Sequence, residues 1–293
     1  MPVIGYIQIA QDPILDVAKA SLFKALADSG FISGKNITIL DNNAQGDLSM
    51  IPMILQSLVS RPVDVVVTNS TPCMVAAAQM VKEIPVVFTV AFEPKQVGLK
   101  SIPANLSGVY DSLKAGEFAD ILVKCIPGLK KVGMPYNTAE PNAVYSVKVI
   151  RAVLVARGIQ VVTSPVNSPN DIMMAGQSLA QQEIGAFVVA ADNTVYLGLN
   201  TLAAVADKAS IPLFVTDPMH TRQGAVLGFG ADYEKWGYAS GLKVVDLLKH
   251  RNGIARKIMP LGQYSLIINK NAAGMQHLLI PKEISDRATQ VIE

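Results

Sequence analysis

The sequence predicts an α/β protein of two lobes, each built around a parallel, doubly wound sheet. Three observations support this fold class. Short, continuously apolar segments alternate with amphipathic segments of helical length, which is typical of βαβ units. The same order of elements occurs twice along the chain. With 293 residues, of which 50% are hydrophobic and 16% charged, the chain is long enough for two cores and too apolar to be disordered.

The first copy of the pattern begins at the N-terminus. Strands are expected at residues 3–9, 36–41, 64–68 and 85–90. Helices are expected between them, at residues 13–29, 48–60 and 72–82. The strands are short and rich in β-branched residues, as in a sheet that is covered on both faces.

The second copy repeats this order after residue 130. Strands are expected at residues 131–134, 160–164, 186–190 and 212–215, and helices at 141–157, 170–182 and 195–209. The Asp12-Pro13 step of the first copy falls where Glu140-Pro141 falls in the second. Right-handed crossovers then give two Rossmann-like lobes.

Composition excludes several classes of function. The net charge is +2 and no basic stripe occurs, so nucleic acid is not an expected partner. Cys73 and Cys125 are the two cysteines, and neither they nor the three histidines show metal-ligand spacing. Phosphate-binding and dinucleotide-binding glycine motifs are missing, as is a serine-nucleophile elbow. We therefore expect no metal, no cofactor and no catalytic residues.

The N-terminus bears on location. Met1-Pro2 leads straight into the first strand, with no charged and apolar leader before it, and no apolar run reaches the roughly 18 residues that cross a bilayer. These features fit either a cytosolic protein or a chain that starts at its mature domain.

The loops that follow the strands are the expected ligand site, because ligands of open α/β sheets bind beyond the carboxyl ends of the strands. Hydroxyls, amides, carboxylates and two aromatic rings gather there in both halves. The candidate ligand-binding residues are Gln11, Ser70, Thr71, Phe92, Glu93, Tyr136, Asn137, Glu140, Asn142, Asp192, Asn193 and Asp217.

An α-amino acid has three parts that such loops can bind. Ser70-Thr71 and the helix start that follows them suit a carboxylate. Asp192, Asp217, Glu93 and Glu140 are available for an ammonium, and Phe92 and Tyr136 offer faces to an aliphatic or aromatic side chain. Each polar residue before a helix is also an ordinary cap, so the joint pattern carries more weight than any single position.

Several motifs together resemble a known family. They include Ile4-Gly5-Tyr6-Ile7-Gln8-Ile9 with Asp12-Pro13, Asn43-Ala44-Gln45-Gly46-Asp47, Tyr136-Asn137 with Glu140, and Asp192-Asn193-Thr194. In this order, over essentially the whole chain, they are similar to ABC transporter substrate-binding proteins of the tryptophan/tyrosine type. Glu93-Pro94 and residues 217–222 depart from the family pattern and flank the expected pocket.

The resemblance implies a type I periplasmic-binding-protein fold with three hinge crossovers, near Tyr110, Ala225 and Ile254. Residues 1–110 and 225–253 would form the N-terminal lobe, and residues 111–224 and 254–293 the C-terminal lobe, with the ligand cleft between them. The implied ligand is an aromatic or branched hydrophobic amino acid, bound without chemistry. The implied partner is the membrane permease of an ABC importer, and we expect a monomer. Export, often with a lipid anchor, implies a periplasmic or membrane-anchored location.

Two other functions fit the same pattern. Cofactor-independent amino-acid racemases also have two similar α/β halves, and Asn69-Ser70-Thr71-Pro72-Cys73 has some likeness to their cysteine loop; the second half has no matching cysteine. Ligand-sensing domains of regulators share the fold, although no helix-turn-helix precedes Val3.

Overall fold

The computed structural model describes residues 1–250 and 257–293, and these residues divide into two compact units. Unit 1 contains Met1–Ser112 and Asp232–Gln263, and unit 2 contains Leu113–Ala231 and Tyr264–Glu293. Each unit has one sheet with helices packed against it, so the predicted α/β class is confirmed.

The strands are β1 (Val3–Gln8), β2 (Thr38–Asn43), β3 (Val65–Asn69), β4 (Val86–Phe92), β5 (Leu106–Asp111), β6 (Lys131–Asn137), β7 (Gln160–Val166), β8 (Ala186–Val189), β9 (Leu213–Val215), β10 (Leu227–Ala231), β11 (Ile258–Pro260), β12 (Tyr264–Asn269) and β13 (Gln290–Ile292).

The helices are α1 (Pro13–Asp28), α2 (Met50–Val59), α3 (Thr71–Met80), α4 (Ala115–Cys125), α5 (Pro141–Val155), α6 (Ile172–Ala180), α7 (Asn193–Leu197), α8 (Leu199–Ala209), α9 (Tyr233–Lys249), α10 (Lys270–Met275) and α11 (Lys282–Ser285). Short 3-10 helices occupy Pro169–Asp171 and Pro218–Gln223.

The sheet of unit 1 has the strand order β11-β5-β4-β3-β1-β2, and its recorded pairings are all parallel. Alternate residues of β1, such as Ile4 and Tyr6, enter one core together with residues of α1 and α9. On the opposite face, Gly5 lies against Leu58 of α2. Helices therefore cover both faces, which explains why the strands are apolar throughout.

The sheet of unit 2 has the order β13-β12-β10-β9-β8-β6-β7. It is parallel except where β10 pairs antiparallel with β12. Along β8, Ala186 and Val188 enter one core, whereas Phe187 and Val189 enter a second core on the other face. This alternation is that of a doubly wound sheet with two buried faces.

The unit boundaries differ from the predicted ones. The changes of unit fall between residues 112 and 113, 231 and 232, and 263 and 264, and the third predicted crossing, Ile254, lies outside the described residues. Residues 225–231 belong to unit 2, not to the N-terminal lobe, because β10 pairs with β9 and β12. Strand β11 belongs to unit 1, because it pairs with β5.

Two elements near the expected site also differ from the prediction. Tyr136 and Asn137 are the last residues of β6, paired with β7, and not part of a loop. The helix expected at residues 195–209 is two helices that meet at Gly198. A Cβ at Gly198 would lie 2.8 Å from the Ile172 Cγ1 atom, so glycine permits close packing on the start of α6.

Candidate functional site

A buried polar network lies at the carboxyl ends of β1 and β3 in unit 1. The Asn69 side-chain amide donates to the Tyr6 hydroxyl at 2.7 Å and to the Leu15 carbonyl at 3.0 Å. The Gln8 amide donates to the Asp16 carboxylate at 2.8 Å. These bonds hold the start of α1 against β3, so this edge of the sheet has a defined shape.

Three predicted site residues lie close together at the ends of β3 and β4. The Ser70 hydroxyl caps α3 by accepting from the Cys73 backbone N–H at 3.4 Å. The Thr71 hydroxyl accepts from the Phe92 backbone N–H at 3.2 Å. All three are buried, with Phe92 5% exposed. This arrangement places hydroxyls, a helix N-terminus and an aromatic side chain at one sheet edge.

The other two predicted residues of unit 1 lie on its surface. Gln11 is exposed, and its side-chain amide donates to the Asp16 carboxylate at 2.6 Å. Glu93 follows β4 and is half-buried. Gln11 therefore meets the polar network at Asp16 from the surface, whereas Glu93 lies at the end of β4.

Two residues with strained backbone conformations lie at the same edge. Ser70 has φ 130° and Val90 has φ 49°, both in a region that non-glycine residues rarely adopt. The two positions are adjacent in the sheet, because the Ser70 N–H donates to the Thr89 carbonyl at 3.3 Å. The register with β5 also shifts between Phe88 and Ala91. Strain of this kind persists where surrounding packing enforces it, and it clusters at binding sites.

In unit 2, the Glu140 carboxylate is surrounded by hydrogen-bond donors. One oxygen accepts from the Thr194 N–H at 2.9 Å and from the Thr194 hydroxyl at 2.7 Å. The other accepts from the Asn142 side chain at 3.0 Å and from the Asn193 N–H and side chain. Five donors fill both oxygens, so this group anchors the start of α7 to the start of α5.

Asp192 lies beside Glu140 and is 1% exposed. Its two oxygens accept from the Asn137 N–H at 2.6 Å and from the Val195 N–H at 2.9 Å, which makes it the cap of α7. Burial, and next the Glu140 charge, raise the pKa of Asp192 to about 8. Among the described residues, no lysine or arginine pairs with either carboxylate.

Two asparagines complete this group. Asn137 donates from its side chain to the Thr194 hydroxyl at 2.9 Å. Asn142 donates to the Ala191 carbonyl at 3.0 Å as well as to Glu140. The structure thus brings five predicted residues, four of them buried and Asn193 half-buried, into one group at the ends of β6 and β8. We call this group the acidic cluster; it consists of Asn137, Glu140, Asn142, Asp192 and Asn193.

Asp217 lies outside the acidic cluster, at the end of β9. It precedes the 3-10 helix whose His220 places its Nε2 atom 4.0 Å from an Asp217 oxygen. The His220 ring stacks on Tyr196 with centroids 3.8 Å apart. Because Tyr196 follows Asp192 by one helical turn, this stack joins the two strand ends that carry Asp192 and Asp217.

The glycines of β10 explain how the residues around Asp217 reach this place. A Cβ at Gly230 would lie 2.0 Å from the Thr216 carbonyl oxygen, and one at Gly228 would lie 2.7 Å from the Pro218 Cα atom. Side chains at either position would push residues 216–218 away from the sheet. The Gly228-Phe229-Gly230 sequence therefore serves close backbone packing.

The comparison with protein families decides the family. The family model described as ABC transporter substrate binding protein matches residues 3–292. The chain belongs to this family. Such a substrate-binding protein functions outside the cytoplasm, and none of its helices within the described residues is long and apolar enough to span a membrane.

Individual relatives agree with this assignment. A tyrosine-binding protein of Clostridioides difficile is 30% identical over 282 residues, which cover 94% of this chain and 81% of the relative. A solved domain from Streptococcus pneumonia in complex with L-Trp has a TM-score of 0.92 and 25% identity, and covers 99% of both chains. A conserved domain protein from Vibrio cholerae has a TM-score of 0.94 and 26% identity, also over 99% of both. The predicted type I periplasmic-binding fold is confirmed, because solute-binding proteins from Bacillus halodurans and Thermotoga maritima share it with TM-scores of 0.68 and 0.69 at 16% and 13% identity.

Some residues of this substrate-binding protein escaped sequence reasoning. Thr194 gives two hydrogen bonds to Glu140, but in sequence it reads as an ordinary residue of a first helical turn. Tyr196 and His220 meet only after folding, from segments 24 residues apart. Tyr136, predicted to offer a face to the ligand, is half-buried and packs against a core of unit 2.

The cysteines bear on the racemase alternative. Burial raises the pKa of both Cys73 and Cys125 to about 12, which favours the neutral thiol over the thiolate that such an enzyme needs. Cys125 also ends α4 and packs in a core of unit 2. The family and its solved relatives are solute-binding proteins and not enzymes.

Val90 provides a test of the strained edge. We expect Val90→Gly to leave the free energy of unfolding within about 1 kcal/mol of the wild-type value, because relief of the positive φ offsets the lost side chain. Val87→Gly, in the same strand but fully buried, should cost more than about 3 kcal/mol. Equal losses in urea unfolding of the two variants would show that Val90 is not strained.

His220 is expected to make the free energy of unfolding fall as the pH is lowered. Burial lowers the pKa of His220 to about 3 in the folded protein, so between about pH 3 and its ordinary value of 6.5 the unfolded chain binds one more proton. Stability contributed by this residue is complete above pH 6.5 and falls below it, by up to about 1.4 kcal/mol per pH unit.

The variant His220→Phe keeps a ring against Tyr196 and removes the titration. Its free energy of unfolding should therefore decline less between pH 6.5 and pH 4.5 than that of the wild type, whatever its value at neutral pH. His277→Asn, at an exposed position, is the control and should keep the wild-type slope. An unchanged slope in His220→Phe would mean that other groups cause the acid loss.

Proposed function

We propose that this substrate-binding protein captures a small amino acid, with an aromatic or branched hydrophobic side chain, for the permease of an ABC importer. The acidic cluster carries the proposal: two buried carboxylates lie side by side without a lysine or arginine partner among the described residues. Such a site lacks a positive charge, and the ammonium group of an amino acid supplies one. The Tyr- and Trp-binding relatives support an aromatic ligand.

The remaining parts of the ligand are assigned to unit 1. The Ser70 and Thr71 hydroxyls and the first N–H groups of α3 suit a carboxylate. The buried Phe92 beside them suits an apolar side chain. Asp217, at the next strand end of unit 2, is a second carboxylate for the ammonium group. Together these residues match the three parts of an α-amino acid.

Because the proposed contacts come from both units, ligand binding is proposed to close the two units on each other. The chain passes between the units three times, and these three segments are the proposed hinge. The closed form would then be the one that the permease recognises. The protein is proposed to act as a monomer, in the periplasm or anchored at the outer surface of the membrane.

Small-angle X-ray scattering tests ligand binding and closure together. The protein is unfolded, refolded without ligand, and measured before and after addition of L-tyrosine or L-tryptophan. We expect the radius of gyration to decrease with one of these amino acids and to stay constant with D-ribose. An unchanged radius with saturating amino acid would contradict closure, whereas a decrease with ribose alone would contradict the amino-acid ligand.

A further inference from the structure

We propose that the ligand's ammonium group enters the acidic cluster in exchange for a proton held by Asp192, so that capture of each ligand releases one proton. This inference rests on the proposed amino-acid function and adds to it a pH-dependent control of loading. The basis is a difference in hydrogen bonding: Glu140 accepts from five donors, whereas Asp192 accepts from the Asn137 and Val195 N–H groups.

Glu140 has no room for a proton or for a further donor. Its five partners are all donors, and two carboxylate oxygens offer about four lone-pair positions. A protonated Glu140 would have to give up at least one of these bonds. The group is therefore a carboxylate in this structure.

Asp192 has the spare capacity that Glu140 lacks. The Asn137 and Val195 N–H groups occupy one position on each of its oxygens. Two carboxylates that are buried side by side are both costly to ionise, because burial removes their hydration and the two negative charges repel each other. Burial and the Glu140 charge raise the pKa of Asp192 to about 8, so at neutral pH the proton resides on Asp192.

A buried acceptor of the acidic cluster supports the same place for the ammonium group. The Oδ1 atom of Asn142 is buried and has no hydrogen-bond partner among the described residues. Its amide nitrogen bonds to Glu140 and to the Ala191 carbonyl, so the side chain lies within the acidic cluster. A buried acceptor that loses its bond to water and gains no donor destabilises the fold, and an ammonium group brings three N–H donors.

Other titratable groups near α7 do not replace Asp192 as the group that releases the proton. His220, stacked on Tyr196, is neutral because burial lowers its pKa to about 3. Asp171, in the 3-10 helix beside α7, is half-buried and accepts from the Asn167 and Ser168 N–H groups. Lys131 lies at the opposite end of β6, where it donates to the Gln182 carbonyl.

Titratable groups farther along the helices and strands lie outside the acidic cluster. Arg151 of α5 donates to the Thr163 hydroxyl, and Lys148 lies on the same helix two turns beyond Glu140. Asp217 lies at the end of the neighbouring strand, 4.0 Å from His220. The exchange is thus left to Asp192.

The exchange conserves charge within the cluster. Before binding, the cluster holds the Glu140 anion and neutral Asp192. After binding, it holds two carboxylates and one ammonium, and the displaced proton has gone to solvent. The net buried charge is the same in both states, so the ligand enters without adding charge to the protein interior.

Calorimetry in two buffers measures the exchange directly. L-tyrosine or L-tryptophan is titrated into the refolded protein near pH 7 in phosphate and in Tris, whose ionisation enthalpies differ. We expect the difference in binding heat to correspond to nearly one proton released. The dissociation constant should rise by up to about tenfold for each unit by which the pH is lowered from 8 towards 6.

The controls separate this inference from the proposed function. Binding of these amino acids with equal heats in both buffers and a constant affinity would overturn the exchange and leave the function intact. Absence of binding by any amino acid would overturn both. The deaminated analogue 3-(4-hydroxyphenyl)propionate should release no proton.

The variant Asp192→Asn cannot hold the exchanged proton. If it binds amino acids too weakly for calorimetry, the ligand-free protein still provides a test. A raised folded-state pKa stabilises the protonated form, so this contribution to stability is lost as the pH rises through about 8. The melting temperature of the free wild-type protein should fall between pH 6.5 and pH 9 more than that of Asp192→Asn. Parallel pH profiles would show that Asp192 holds no proton.

Discussion

Replacement of Asp192 by alanine is expected to weaken amino-acid binding by roughly 2–5 kcal/mol, or about 30-fold to about 4,000-fold in the dissociation constant. The physical reason is the burial of the group. A carboxylate 1% exposed to water pairs with an ammonium at low local dielectric, where each charge contact is stronger than at the surface. Isothermal titration calorimetry with L-tyrosine and L-tryptophan measures the change.

Two further variants separate the charge of Asp192 from its role as a helix cap. Asp192→Asn retains an oxygen that accepts from the Asn137 or Val195 N–H but carries no charge, so it should fold like the wild type and still bind weakly. Asp120→Asn, an exposed carboxylate of the same unit that pairs with Arg157, is the matched control and should bind normally. Wild-type affinity in Asp192→Ala would remove this residue from the site.

Replacement of Gly237 by alanine is expected to lower the free energy of unfolding strongly. Gly237 lies in α9 where this helix crosses α1, and a Cβ there would lie 1.9 Å from the Ala18 carbonyl oxygen. The neighbouring contact is also tight, since a Cβ at Gly241 would lie 2.5 Å from the Leu22 carbonyl oxygen. The obstacle in both cases is backbone, so the helices must separate, and we expect a cost above about 3 kcal/mol.

Urea unfolding followed by fluorescence measures this cost, because the single tryptophan, Trp236, is buried in α9 and donates to the Val109 carbonyl at 2.7 Å. Gly116→Ala is the matched control. It lies in α4, where an added Cβ would meet no other part of the described chain within 4 Å, and there alanine should be neutral or stabilising by up to about 1 kcal/mol. A loss in Gly237→Ala no larger than that of the control would show that α1 and α9 do not pack so closely.

The sequence predicted the fold class because both halves carry the same strand and helix pattern. It was less accurate where pairing between distant segments decides an element. Strand β10 joins unit 2 through its partners β9 and β12, one of them antiparallel, and no local pattern encodes that choice. The break at Gly198 in the helix predicted at residues 195–209 similarly depends on packing against Ile172.

For the candidate site, strand-end position predicted which residues lie together but not what each one does. Glu140 and Asp192 are equivalent in sequence, since each precedes a helix. Only the folded chain shows that Glu140 is filled by five donors and Asp192 by two. The stack of His220 on Tyr196 joins two segments whose contact no local pattern predicts.

A thermal-shift screen of the refolded, ligand-free protein against the twenty amino acids and a set of sugars and polyols tests the central claim most directly. A ligand present at about 100 times its dissociation constant should add about 2.7 kcal/mol of stability, which a melting curve resolves. We predict a shift with tyrosine, tryptophan, phenylalanine or a branched aliphatic amino acid and none with the sugars. A shift with a sugar or polyol, and with no amino acid, would contradict the amino-acid site proposed around Asp192.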